Sequence, residues 1–215
     1  MAVPGHSNLR VQESFPYFPS SADVGVAAPV DGRTTDKISS SSIPAFATVS
    51  IMETKPNSPS IDSGVRIGHV HLKVADLDRA LKFYCGVLGF ELMQRFGSQA
   101  AFISAGGYHH HIGLNTWESK GGSPPPPGTT GLYHVAILYP TRASLADALR
   151  RLMAANIELD GAADHGVSEA LYLRDPDKNG VELYRDRPQN EWPRTQSGEI
   201  AMYTRALNLS DLLSE

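Results

Sequence analysis

Residues 67–92 read IGHVHLKVADLDRALKFYCGVLGFEL, and two periodicities follow one another within them. Val70, Leu72 and Val74 alternate with His69, His71 and Lys73, the period of two of a half-buried strand with one apolar face. Asp76 then supplies a helix N-cap, Leu77, Ala80, Leu81, Tyr84 and Leu88 recur at helical spacing, and Gly89 can end the helix. The helix is expected to lie on the apolar face of the strand, leaving the histidines on the other. Three further strands are expected at Phe90–Phe96, Ala100–Ser104 and His109–Trp117, separated by glycine-containing turns. The unit reads βαβββ.

A Gly/Pro linker, Gly121-Gly122-Ser123 and then Pro124 to Pro127, separates this unit from a second one of the same order. Its expected elements are a strand Gly131–Tyr139, a helix with Leu145, Ala148, Leu149 and Leu152 on one face, and a strand near Ile157–Leu159. Strands Ser168–Arg174 and Val181–Arg185 follow, joined by the turn Asp175-Pro176-Asp177-Lys178-Asn179-Gly180. His69-Val70 and His134-Val135 stand at matching places 65 positions apart, which reads as a duplicated module. About 60 residues bury too little surface to fold alone, so the two modules are expected to share one domain.

The first 60 residues hold 11 Ser and 7 Pro and no apolar periodicity. Residues 1–62 are therefore expected to be a disordered extension, 63–193 the folded domain with modules 66–117 and 131–187, and 194–215 a tail. An organellar presequence is the weaker reading of the extension, since it mixes basic and acidic residues, and Met52 is a second candidate start. The tail has a short amphipathic end, Leu207, Leu209, Leu212 and Leu213, suited to packing over the second module or a partner subunit.

Of 215 residues 41% are hydrophobic, enough for a sizeable core, and the net charge of −4 comes without any Lys/Arg run. That argues against a nucleic-acid or anionic-membrane surface and for a small-molecule partner. There is no apolar run near the roughly 20 residues of a membrane span. The single Cys85 cannot form an internal disulfide, so a cytoplasmic location is the default expectation.

Seven of the eight histidines lie between His69 and His165. His69 and His134 interrupt apolar strands on the face away from the helix, where an imidazole needs a partner that a metal can supply. Val181 and Leu183 point to the helix, so Glu182 and Tyr184 face the concavity, and an ionised carboxylate there needs a cation. Two imidazoles and one carboxylate on three strands can form the facial triad that suits non-haem Fe(II), which suggests oxygen chemistry. His71 shares a face with His69 and is the other candidate for the first ligand.

The segments IGHVHLKVADLDRALKFYCGVLGFEL, GGYHHHIGLNTW and DHGVSEALYLRDPDKNGVELYRDRP resemble the glyoxalase/bleomycin resistance/dioxygenase family, the vicinal oxygen chelate superfamily. More closely they are similar to its single-domain catechol 2,3-dioxygenase-type members, over roughly Arg66 to Pro193. The resemblance implies an α+β fold in which two paired βαβββ modules enclose a metal, with His69, His134 and Glu182 as its ligands. It implies Fe(II), with Mn(II) accepted by the same ligands, and an extradiol ring cleavage of catechol or a substituted catechol by O2, as in aromatic compound catabolism. It further implies that Tyr172, ten residues before Glu182, hydrogen-bonds a substrate oxygen, that His110 is the acid-base residue, and that His165 contacts the second oxygen. Plain strand alternation instead turns His111 toward the cavity, and the choice between His110 and His111 stays open here, as does homo-oligomer formation.

Two alternatives follow from the same resemblance. Glyoxalase-like isomerases or lyases and thiol transferases use a metal without oxygen, but glyoxalase I takes a further carboxylate from the last strand of its first module, and His109–Trp117 contains none. Bleomycin-type binding proteins resemble the fold with the ligand positions vacant, whereas all three are filled here.

Overall fold

In a computed structural model the described residues are 59–215, and the expected disordered extension lies outside them but for residues 59–62. Gly68–Glu215 belong to one compact unit and Ile67 to another. By itself the segment 59–67 is exposed and carries one turn, in which the Asp62 carboxylate accepts from the Gly64 amide at 2.7 Å.

Two sheets make up the larger unit. Strand β1 (Val70–Lys73), helix α1 (Leu77–Leu81), β2 (Glu91–Phe96), β3 (Ala100–Ser104) and β4 (Ile112–Asn115) form the first module, with sheet order β1-β4-β3-β2. Strand β5 (Val135–Leu138), helix α2 (Arg142–Ala154), β6 (Leu159–Asp164), β7 (Ser168–Arg174) and β8 (Gly180–Asp186) form the second, in which β5 pairs with β8, β8 with β7 and β7 with β6. In each module the first strand runs parallel to the last, the arrangement a crossover helix requires. The fold is α+β, two βαβββ modules, as the sequence leads one to expect.

Local chemistry accounts for the helices. The Asp76 carboxylate accepts from the Arg79 amide at 2.9 Å and Thr141 closes a reciprocal capping box with Ser144. Helix α1 relaxes into a π-helical turn over Lys82–Val87, which the apolar spacing alone does not reveal, and Gly89 follows with a left-handed φ of 87°. Leu72, Tyr84, Ile103 and Leu114 of the first module and Leu145, Leu149, Leu171 and Leu183 of the second are all buried in one continuous core.

The turn between β7 and β8 grips the first module. Asp175 accepts from the Asp177 and Asn179 amides, both at 2.8 Å, and from the Tyr84 hydroxyl at 3.1 Å. Asp177 accepts from the Ala75 amide at 3.0 Å and pairs with Arg79, while Asn179 donates to the Lys73 carbonyl at 3.3 Å. Burial raises the Asp175 carboxyl above the usual carboxylate range, and burial beside Asp175 raises the Tyr84 hydroxyl, which stays a protonated donor.

Three expected elements differ. The strand expected near Ile157–Leu159 instead occupies Leu159–Asp164, with a bulge between Leu159 and Gly161, because pairing with β7 recruits Ala162 and Ala163, whose small side chains carry little strand signal. The strand expected over His109–Trp117 is confined to Ile112–Asn115, since left-handed Gly106 and Gly107 bend the chain and the histidines lie in the approach. The strand expected over Gly131–Tyr139 begins at Val135. The tail adds strand β9 (Arg205–Ala206) beside β6 and helix α3 (Leu209–Leu213) against α2, with Leu212 fully buried.

Candidate metal centre

The ladder registers put the candidate residues of the two modules in equivalent positions. His69 and His134 each stand one residue before a first strand, Val70 pairing with Ile112 and Val135 with Val181. Glu182 on β8 is therefore matched by Gly113 on β4, and Tyr172, paired with Glu182, by Phe102, paired with Gly113. The modules repeat in backbone, and the ligand-type residues differ between them.

In the second module His134 Nε2 lies 2.9 Å from Glu182 Oε2. Tyr172 Oη donates to Glu182 Oε1 at 3.0 Å and stands 2.7 Å from His165 Nε2. The other His165 nitrogen lies 3.1 Å from Thr204 Oγ1 and 3.2 Å from the Tyr203 carbonyl, both supplied by the tail. Leu171 and Leu173 face the core, which turns Tyr172 to the opposite face. Burial and the neighbouring Glu182 charge raise the Tyr172 hydroxyl above the usual phenol range, so it stays a protonated donor.

In the first module ring nitrogens of His69, His71 and His110 lie within 4.8 Å of one another, the one such group among the described residues. His110 Nδ1 meets His109 Nδ1 at 2.8 Å, and His110 Nε2 is buried without a hydrogen-bond partner among the described residues. Burial and the neighbouring imidazoles of His69, His109, His71 and His111 draw His110 below the ordinary histidine range. It is neutral at pH 7. His111 turns the other way, to Ser104 Oγ at 2.9 Å, because the bend before β4 interrupts the alternation that would carry it inward.

The six residues singled out in the sequence thus fall in two places: His69 and His110 in one, His134, Glu182, Tyr172 and His165 in the other. His134 and Glu182 lie outside the three-histidine group. The donor chemistry fits a divalent ion: the His134 imidazole and the Glu182 carboxylate stand side by side, and His110 Nε2 is buried and unpartnered among the described residues. Two ligands on one ion, each about 2.1 Å from it at right angles, are about 3 Å apart, close to the His134–Glu182 separation. Thr204 and the Tyr203 carbonyl had no signal in the sequence, since only the β6–β9 pairing brings the tail to His165.

The model of the Glyoxalase/Bleomycin resistance protein/Dioxygenase superfamily matches residues 66–183, more than half of the chain. The chain belongs to that superfamily. It is 41% identical over 157 residues to a catechol-2,3-dioxygenase of Bacillus subtilis, covering 73% of this chain and 54% of the relative. A biphenyl-2,3-diol 1,2-dioxygenase 3 of Rhodococcus globerulus is 34% identical over 56% of this chain and 63% of its own. A Synechocystis protein named "Probable lactoylglutathione lyase" is 26% identical over 54% of this chain and 91% of its own. The chain therefore spans between half and two thirds of the length of the two named dioxygenases. Members of this superfamily carry dioxygenase or glyoxalase/lyase chemistry, and this member has a candidate site for a divalent ion. No helix among the described residues is long and apolar enough to cross a membrane.

Proposed function

We propose that the protein is a metal-dependent extradiol dioxygenase that opens a catechol or substituted catechol beside its two hydroxyls, using Fe(II), or Mn(II) in its place. His134 and Glu182 would hold the ion, with His69, which stands with His71 and His110 apart from that pair, as the third ligand on closing toward it. Such an ion would supply Lewis-acid and template chemistry toward a diol and O2. The observation that carries the reading is the hydrogen-bonded row His165–Tyr172–Glu182 beside His134. Neither a plain carboxylate site nor an apolar drug pocket calls for such a row.

The protein's own groups then have distinct tasks. Tyr172, held protonated, donates to a substrate oxygen or to Glu182 and orients the diol. His165, backed by the tail and hydrogen-bonded to Tyr172, would contact the second substrate oxygen. His110, neutral and with a free Nε2, accepts and returns a proton near the reacting oxygen, the task for which a base neutral at pH 7 is suited. The names of the Bacillus and Rhodococcus relatives support this reading over the part of their length that the chain spans.

A glyoxalase-like isomerase is the second reading, favoured by the Synechocystis relative, most of whose length is matched. Against it, Gly113 occupies the place in the first module that Glu182 holds in the second, so the fourth protein ligand is missing.

The test is anaerobic loading of the full chain with Fe(II), followed by catechol and air. Oxygen uptake with a yellow ring-opened product is expected. Isomerisation of a glutathione hemithioacetal without oxygen uptake, under zinc or nickel, would establish the second reading instead.

A further inference from the structure

We propose that His69, His71 and His110 form a seat for a divalent ion of the zinc, cobalt and nickel class, separate from the His134–Glu182 pair. It shares His69 with the proposed metal triad. Three nitrogens bound to one zinc are about 3.4 Å apart at tetrahedral angles, and these three lie within 4.8 Å of one another. His69 and His71 are exposed, and the His69 side chain would have to turn toward the other two for all three to reach one ion.

The surroundings are built to hold the rings. His110 has its Nδ1 engaged by His109 and its Nε2 buried and free, the outer-shell pattern that aims one imidazole nitrogen at an ion. The His71 ring lies over Gly113, where a Cβ would come within 2.6 Å of it, and stacks on Trp117 with centroids 6.1 Å apart and planes 24° off parallel. A side chain at position 113 would push His71 away. Phe102 packs against both His71 and His110, with centroids at 5.9 and 5.0 Å.

The donor set decides the class of ion. Three imidazoles with no carboxylate among them favour zinc, nickel, cobalt or copper over magnesium, calcium or manganese. Three protein ligands leave a fourth position, open to water through the exposed His69 and His71. Such an ion takes His69 and His110 away from the oxygen chemistry proposed above, so it inhibits; this last clause alone rests on that reading.

The experiment uses the chelator-stripped full chain with His134→Ala and Glu182→Gln together, titrated with Co(II) and followed by visible absorption. One Co(II) per chain with the intense bands of four-coordinate cobalt is expected. Adding His71→Ala should weaken binding by at least about 10-fold. Loss of those bands in the double variant, or unchanged affinity on adding His71→Ala, overturns the proposal. Circular dichroism establishes folding, and Glu182→Gln alone carries the same titration if the double variant is unfolded. Neither catechol nor oxygen enters this titration, so its failure and that of the dioxygenase reading are distinct results.

Discussion

Tyr172 and Glu182 face each other across the β7–β8 ladder, and the Tyr172 hydroxyl donates to Glu182 Oε1 at 3.0 Å while Oε2 is left to His134. The two carboxylate oxygens thus have separate partners, and the tyrosine fixes which of them faces the imidazole.

Tyr172→Phe keeps the ring and removes the donor. Metal affinity should fall about 10- to 100-fold, the usual loss when a hydrogen bond to a ligand is removed. Competition with a colorimetric chelator measures it, and an unchanged affinity would show that Glu182 either does not hold the ion or is oriented by the ladder alone.

Thr204 is expected to set the tautomer of His165. Tyr172 has one hydroxyl hydrogen, spent on Glu182, so His165 Nε2 donates to Tyr172 Oη, and in the neutral ring His165 Nδ1 accepts. The Thr204 hydroxyl, 3.1 Å away, is the donor Nδ1 needs, whereas the Tyr203 carbonyl is a second acceptor. In Thr204→Val the proton should move to Nδ1, with Thr204→Ser retaining the original form. Nitrogen NMR of the His165 ring distinguishes the two.

Asp164 holds the loop that carries His165, accepting from the Gly166 amide at 2.8 Å and from both Arg187 nitrogens. The Arg187 hydrogen bonds keep its carboxyl below the usual carboxylate range in the folded protein. The stabilisation is therefore complete above the unfolded value near 3.9 and is lost as pH falls through the lower folded value. Asp164→Asn should cost about 1–2 kcal/mol at neutral pH, and the gap to wild type should begin to close below about pH 4 and vanish below the folded value. Urea unfolding across a pH series measures both; a gap that persists in acid would mean that charge is not the cause.

Gly180 allows β8 to pass beside the residue before His134. A Cβ there would stand 2.0 Å from the Tyr133 carbonyl oxygen, a backbone atom that cannot swing aside. Gly180→Ala should destabilise the protein by about 3 kcal/mol or more and displace His134. A melting temperature equal to wild type would refute the close approach.

Much of the architecture was legible because it is written in short-range pattern. The alternation of Val70, Leu72 and Val74, the Asp76 cap and the β7 stretch Ser168–Arg174 each carry their own signal within a few residues. Strand β6 did not, because alanines at 162 and 163 suit a strand only once β7 lies beside them. Nor did the bend at His109 to His111, which depends on left-handed glycines and on the β3–β4 register.

The candidate site divides in the same way. The chain alone determined the repeat of two modules, the apolar face of each first strand and the residue types able to bind an ion, since all depend on the order of side chains along the backbone. The tertiary structure alone decided that His111 turns to Ser104 while His110 turns to His69 and His71, that His69 stands apart from the His134–Glu182 pair, and that the tail reaches His165. These are contacts between distant segments, set by strand pairing and packing, and no local pattern encodes them.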